Sequence, residues 1–102
     1  MKAGGLFALT IIGLGTAMAA RAMAEPPIYE KKCFNCHSIG GVGGRRASKG
    51  GELDGVGSKH DEAWIRAYLQ DPRSQVPDAK MRQITLSPED TEALVQYMMS
   101  LK

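Results

Sequence analysis

Two thiols and an imidazole stand within five residues of one another in Cys33-Phe34-Asn35-Cys36-His37. The pattern is C-x-x-C-H, and its spacing has a chemical reason. Two residues between the cysteines, wound on a helical turn, set the sulfurs at the separation of the two vinyl groups of a haem, to which thiols add. The histidine directly after the second cysteine then lies beneath the iron and supplies an axial imidazole. Three other chemistries use the same residue types. A thioredoxin-like redox pair is also C-x-x-C, but it sits between a strand and a helix in a βαβ unit, and no strand pattern flanks this one. A tetrahedral zinc site needs four ligands, and the chain's second histidine, His60, is the remaining donor of the usual kind. A plain disulfide satisfies both thiols but leaves the glycine-rich backbone downstream with nothing to cover. The spacing favours covalent haem, with these three behind it.

A haem iron held by His37 has a second axial position to fill. Of the six methionines, Met1, Met18 and Met23 lie in the first segment of the chain, and Met98 and Met99 fall in a terminal helical pattern where methionine serves as core filler. Met81 stands apart, in an irregular stretch after Pro77 where a flexible thioether can swing onto the iron. His60 is the alternative ligand, although its place before Asp61 at a helix start suits capping or solvent exposure; an open position is the third possibility. The choice has a consequence, because thioether ligation raises the reduction potential relative to bis-imidazole ligation. Arg45 and Arg46 suit haem propionates by the geometry of guanidinium and carboxylate, or else are solvated loop residues. Lys31 and Lys32 are either a local docking patch for an acidic partner or a solvated helix face.

The elements that must position these residues begin after a leader. Lys2 is followed by an uncharged stretch over residues 3–20, and Ala22-Met23-Ala24 offers small residues at the two positions a signal peptidase reads. Residues 1–24 therefore read as an export signal cut after Ala24, or as a membrane anchor through 3–20 if it is kept. The leader carries Lys2 and Arg21 and no acid, so its loss brings the 13 basic residues level with the 11 acidic ones. The formal net charge of +2 thus belongs to the leader, which leaves no global field for nucleic acid or anionic lipid. In what remains, Ile28 to Cys36 is expected to make two helical turns, and Asp61 to Gln70 a helix with Trp64/Tyr68 and Ile65/Leu69 as i, i+4 pairs. Asp71-Pro72 ends that helix. Ser87-Pro88 with Asp90 starts a last one, whose Leu94, Val95, Met98 and Leu101 share a face. Between these lie two long irregular segments. The stretch from Gly40 to Gly57 holds eight of the twelve glycines, and no strand pattern or repeat is visible. Three short helices and two long loops, with aromatics at 6% of the chain, need a large rigid object to wrap.

The whole of residues 25–102 resembles the small class I, single-haem c-type cytochromes of bacteria. The resemblance runs through the C-x-x-C-H motif, Gly50-Gly51-Glu52-Leu53-Asp54-Gly55-Val56-Gly57, Trp64 to Pro72, Ala79-Lys80-Met81 and Leu94-Val95-Gln96-Tyr97-Met98. It implies an all-α cytochrome c-like fold in which three or more short helices and long loops wrap one covalently bound haem c. It also implies Cys33 and Cys36 as attachment sites, His37 and Met81 as iron ligands, and a crossing of the first and last helices at which Tyr97 packs. Two positions depart from the family pattern. Gly50-Gly51 replaces the usual Gly-Pro, whose proline carbonyl orients the ligand histidine, and Arg82 rather than proline follows Met81. The function implied is transfer of single electrons in the periplasm between redox partner proteins, not enzymatic catalysis, with no nucleic acid and no small-molecule substrate. The alternatives are a dedicated haem c subunit of a larger, possibly membrane-bound oxidoreductase complex, and a ligand-binding or peroxidatic haem protein with an open sixth site.

Overall fold

The computed structural model describes residues 23–102; the expected leader over 1–24 lies, except for its last two residues, outside them. Helix α1 (Pro27–Lys32) starts from extended Pro26 with proline at its first position, and buries Tyr29. It is shorter than the sequence suggests. The Tyr29 carbonyl accepts both the Cys33 N–H at 2.9 Å and the Phe34 N–H at 3.0 Å, an i+5 closure that ends the helix and sends Cys33 to Cys36 into consecutive turns.

The glycine-rich stretch contains more order than its composition announces. Strands β1 (Ser38–Ile39) and β2 (Val42–Gly43) form a minimal antiparallel pair, and Ser38 also makes a parallel bridge to Glu52. The link is Gly40-Gly41, with φ of +59° and +81°, the positive values that a two-residue hairpin turn needs at both central positions. Two single-turn helices follow, α2 (Ala47–Gly50) and α3 (Val56–Lys59).

Helix α4 (Glu62–Gln70) is capped by Asp61, whose carboxylate accepts the Trp64 N–H at 2.8 Å, and it buries Ile65 and Leu69. It ends at extended Asp71 before Pro72, as expected, but the chain then makes one more turn, α5 (Pro72–Gln75), because Pro72 can itself open a helix. Helix α6 (Pro88–Met99) begins as its sequence dictates: the Ser87 hydroxyl accepts the Asp90 N–H at 3.0 Å and Pro88 occupies the first turn.

The core lies where α1, α4 and α6 meet. Tyr29, Leu94 and Val95 are fully buried, and Tyr29 meets Tyr97 edge-on at 5.7 Å and 66°, so the first and last helices cross at Tyr97. Helix α3 docks on the end of α6 through the Gly57 N–H, which donates to the Leu101 carbonyl at 2.8 Å. A side chain at Gly57 would place its Cβ 2.7 Å from the Met98 carbonyl oxygen, so the approach requires glycine. Among the described residues no helix is long and apolar enough to cross a membrane.

Candidate haem site

Between α3, α4 and the turns after α1 lies an apolar cleft with a cavity volume of about 220 Å³. Cys33, His37 and Met81 all line it, brought together from positions far apart in the chain. Cys36 lies half-buried beside the cleft rather than on its wall. Leu53, Val56, Ile65, Leu69 and Met98 supply an aliphatic surface, and Trp64 and Tyr68 add aromatic faces.

The His37 imidazole is fixed from behind. Its Nδ1 lies 3.2 Å from the Gly51 carbonyl oxygen, which can only accept, so Nδ1 carries the proton and Nε2 keeps its lone pair. Gly51, with φ of +83°, turns its carbonyl toward the ring. The sequence departure at Gly50-Gly51 therefore preserves the orienting contact. Gly50 is required for a different reason: a Cβ there would collide with the Cys36 carbonyl oxygen and sit 2.8 Å from His37 Cε1. Gly44 similarly lets the chain pass Asn35, where its N–H donates to the Phe34 carbonyl at 2.8 Å.

No disulfide joins Cys33 to Cys36, which leaves both sulfurs available for another partner. Burial, aided by the negative charge of Glu25, pushes the Cys33 thiol up to about 11. A thiol held protonated in an apolar wall is a poor redox nucleophile, and no βαβ unit surrounds it among the described residues. No group of three or more His, Cys, Asp or Glu side chains is placed to hold a metal ion among the described residues, so the zinc alternative lacks its ligand set.

His60 does not cap the start of α4; its N–H instead closes the end of α3 on the Val56 carbonyl at 3.2 Å. Asp61 is the cap, and His60 is half-buried on the cleft wall, stacked on Trp64 at 3.5 Å and 7°. Trp64 stacks in turn on Tyr68 at 5.1 Å and 9°, forming a ladder of three rings at i, i+4 and i+8. The Trp64/Tyr68 pair was legible from its spacing; His60 was not, because it precedes the helix. Arg45, Arg46, Lys31 and Lys32 are exposed and do not line the cleft.

The donor set fits a covalently held haem: two unpaired thiols at C-x-x-C spacing, an imidazole with a free Nε2, a thioether on the same cleft, and an apolar wall that glycine backbone lets approach closely. Known proteins agree. The Cytochrome c family profile matches residues 27–102. Cytochrome c2 iso-2 of Magnetospirillum molischianum is 31% identical over 97 residues, covering 78% of this chain and 100% of the relative. Cytochrome c oxidase subunit 2 of Bacillus sp. (strain PS3) is 30% identical over 87 residues, and that of Alkalihalophilus pseudofirmus is 36% identical over 79. These two alignments cover 74% and 72% of this chain but only 24% and 23% of the oxidase subunits. No solved structure matches significantly. With its helical fold, its haem-attachment motif and a family match running from α1 to the C-terminus, the chain belongs to the cytochrome c family, as a class I single-haem c-type cytochrome with covalently attached haem c.

Proposed function

We propose that this chain is a periplasmic c-type cytochrome that passes single electrons between redox partner proteins through a haem attached at Cys33 and Cys36 and ligated by His37 and Met81. The observation that carries this reading is the meeting of His37, oriented by Gly51, with Met81 on one apolar cleft. Bound haem supplies a one-electron ferric/ferrous couple. His37 and Met81 would together hold the iron and leave no position for a substrate, which is why electron transfer rather than catalysis is the assigned activity. The apolar wall excludes water and, with the Met81 thioether, favours a high potential. Residues 1–24 would take the chain to the compartment where haem is joined to such motifs.

A second reading is supported by the oxidase-subunit relatives: the same domain serving as a fixed relay within a larger oxidoreductase. Retention of the leader as a membrane anchor in the isolated protein would favour it over the free carrier.

Visible spectra of the oxidised and reduced holoprotein test the ligand set. The ferric protein is expected to be low-spin with a sulfur-to-iron charge-transfer band. That band is lost in Met81→Ala and retained in His60→Ala. Loss in the His60 variant alone would reverse the assignment, and rapid carbon monoxide binding by the reduced parent would show an open sixth site.

A further inference from the structure

Residues 80–86 are almost untethered. The Ala79 N–H bonds the Val76 carbonyl at 2.9 Å and Ser87 caps α6, but between them no backbone–backbone hydrogen bond forms among the described residues. Among the described residues one hydrogen bond ties this segment to the body: Gln83 Nε2 donates to the Gln70 carbonyl oxygen at 3.1 Å. That carbonyl is free for a reason written in the sequence. Gln70 is the last residue of α4, and Asp71 leaves helical geometry before Pro72, so no N–H one turn later reaches it. Packing does not replace the tether. A cleft of about 280 Å³ opens between residues 83–86 and Leu69, Gln70 and Thr91, and the Gln83 bond to Gln70 lies at its wall. Its partly buried anchor on the core, Leu86, lies five residues beyond Met81, whereas Lys80, Arg82 and Gln83 are exposed.

We propose that Gln83 is a positioning residue: by bonding the frayed end of α4 it holds the Met81 thioether in the haem cleft. The inference rests on reading Met81 as the axial ligand. A loop that is otherwise free to lift gives up its thioether to a competing ligand in proportion to the strength of its remaining restraint. A hydrogen bond of ordinary net strength corresponds to a change of roughly three- to tenfold in that competition.

Imidazole titration of the ferric holoprotein, followed by loss of the sulfur band, measures it directly. Gln83→Ala is expected to bind imidazole roughly three- to tenfold more tightly than the parent. Gln83→Glu, nearly isosteric but with a carboxylate that cannot donate, is expected to do the same. Gln83→Lys restores a donor and returns the affinity toward the parent value. Gln75→Ala, on α5 with its side chain bonded only to the Ser74 hydroxyl, leaves it unchanged. All four variants alter exposed or half-exposed residues and are expected to melt with the parent, which separates positioning from a general structural role. Absence of the sulfur band in the parent would overturn the Met81 reading and the tether with it. Its presence, with equal imidazole affinity in the parent, Gln83→Ala and Gln83→Glu, would overturn the tether alone.

Discussion

Tyr29 carries a hydroxyl that finds no hydrogen-bond partner although the residue is only 1% exposed. Its ring contributes to the crossing of α1 and α6, so the aromatic body stabilises while the polar tip costs free energy. Tyr29→Phe keeps the ring and removes the orphan, and is expected to stabilise the holoprotein by about 1 kcal/mol in denaturant unfolding. Burial also pushes the Tyr29 phenol up from 10.0 to about 12, chiefly by desolvation. A group whose pKa is raised on folding gives stability that is present below its unfolded value and lost as pH rises through the folded one. The advantage of Tyr29 over an ionisable exposed phenol therefore fades between pH 10 and about 12, and the phenylalanine variant is expected to lose less stability across that window. Tyr97, also raised by burial, stays in both proteins, so the difference is partial.

Arg66 joins two elements that apolar packing already brings together. Its guanidinium grips Glu92 of α6 through Nε at 2.6 Å and Nη2 at 2.8 Å, and Glu62 of its own helix at 2.8 Å. The Arg66 hydrogen bonds hold the Glu92 carboxyl below its ordinary 4.5. A lowered carboxylate pKa contributes stability that is complete above the unfolded value and is lost as pH falls through the folded one. Glu92→Gln is thus expected to lower the melting temperature slightly at neutral pH, and the gap should close below pH 4.5 and shrink in high salt. Thermal melts at two pH values and two salt concentrations check this. Helices α4 and α6 were legible from the sequence because their signals are local: an i, i+4 apolar face, and a serine-proline start with Asp90 three residues after the cap. The hairpin at Gly40-Gly41 carried a local signal too, but its two-residue strands are too short to show alternation. Helix α1 ends early through an i+5 bond that no pattern of apolar residues announces.

At the scale of the molecule, the haem-attachment motif was legible because it is contiguous: Cys33, Cys36 and His37 announce it by their spacing alone. The rest depends on how distant segments are brought together. Gly50 and Gly51 serve His37 through a backbone approach that composition cannot express, and His60 reaches the cleft only because α3 delivers it to Trp64. The same topology explains the poverty of aromatics noted in the sequence. The buried cluster of Tyr29, Leu94, Val95 and Tyr97 is small, while Ile65, Leu69 and Met98 belong to the core and also line the cleft. Leu53, Val56 and Trp64, only half-buried on the same wall, would complete their burial against a macrocycle, so haem would stand in for a second layer of core. Preventing attachment should therefore unfold the chain rather than merely bleach it. Cys33→Ser/Cys36→Ser retains His37, Met81 and every packing residue but cannot form the thioether bonds, and it is expected to lose most of its helical circular dichroism and to be digested rapidly by protease. Reconstitution of the double variant with free haem separates the two contributions. Recovery of the helical signal assigns the stability to burial of the macrocycle, and persistent disorder with haem present assigns it to the covalent crosslink between the turns after α1 and the cleft.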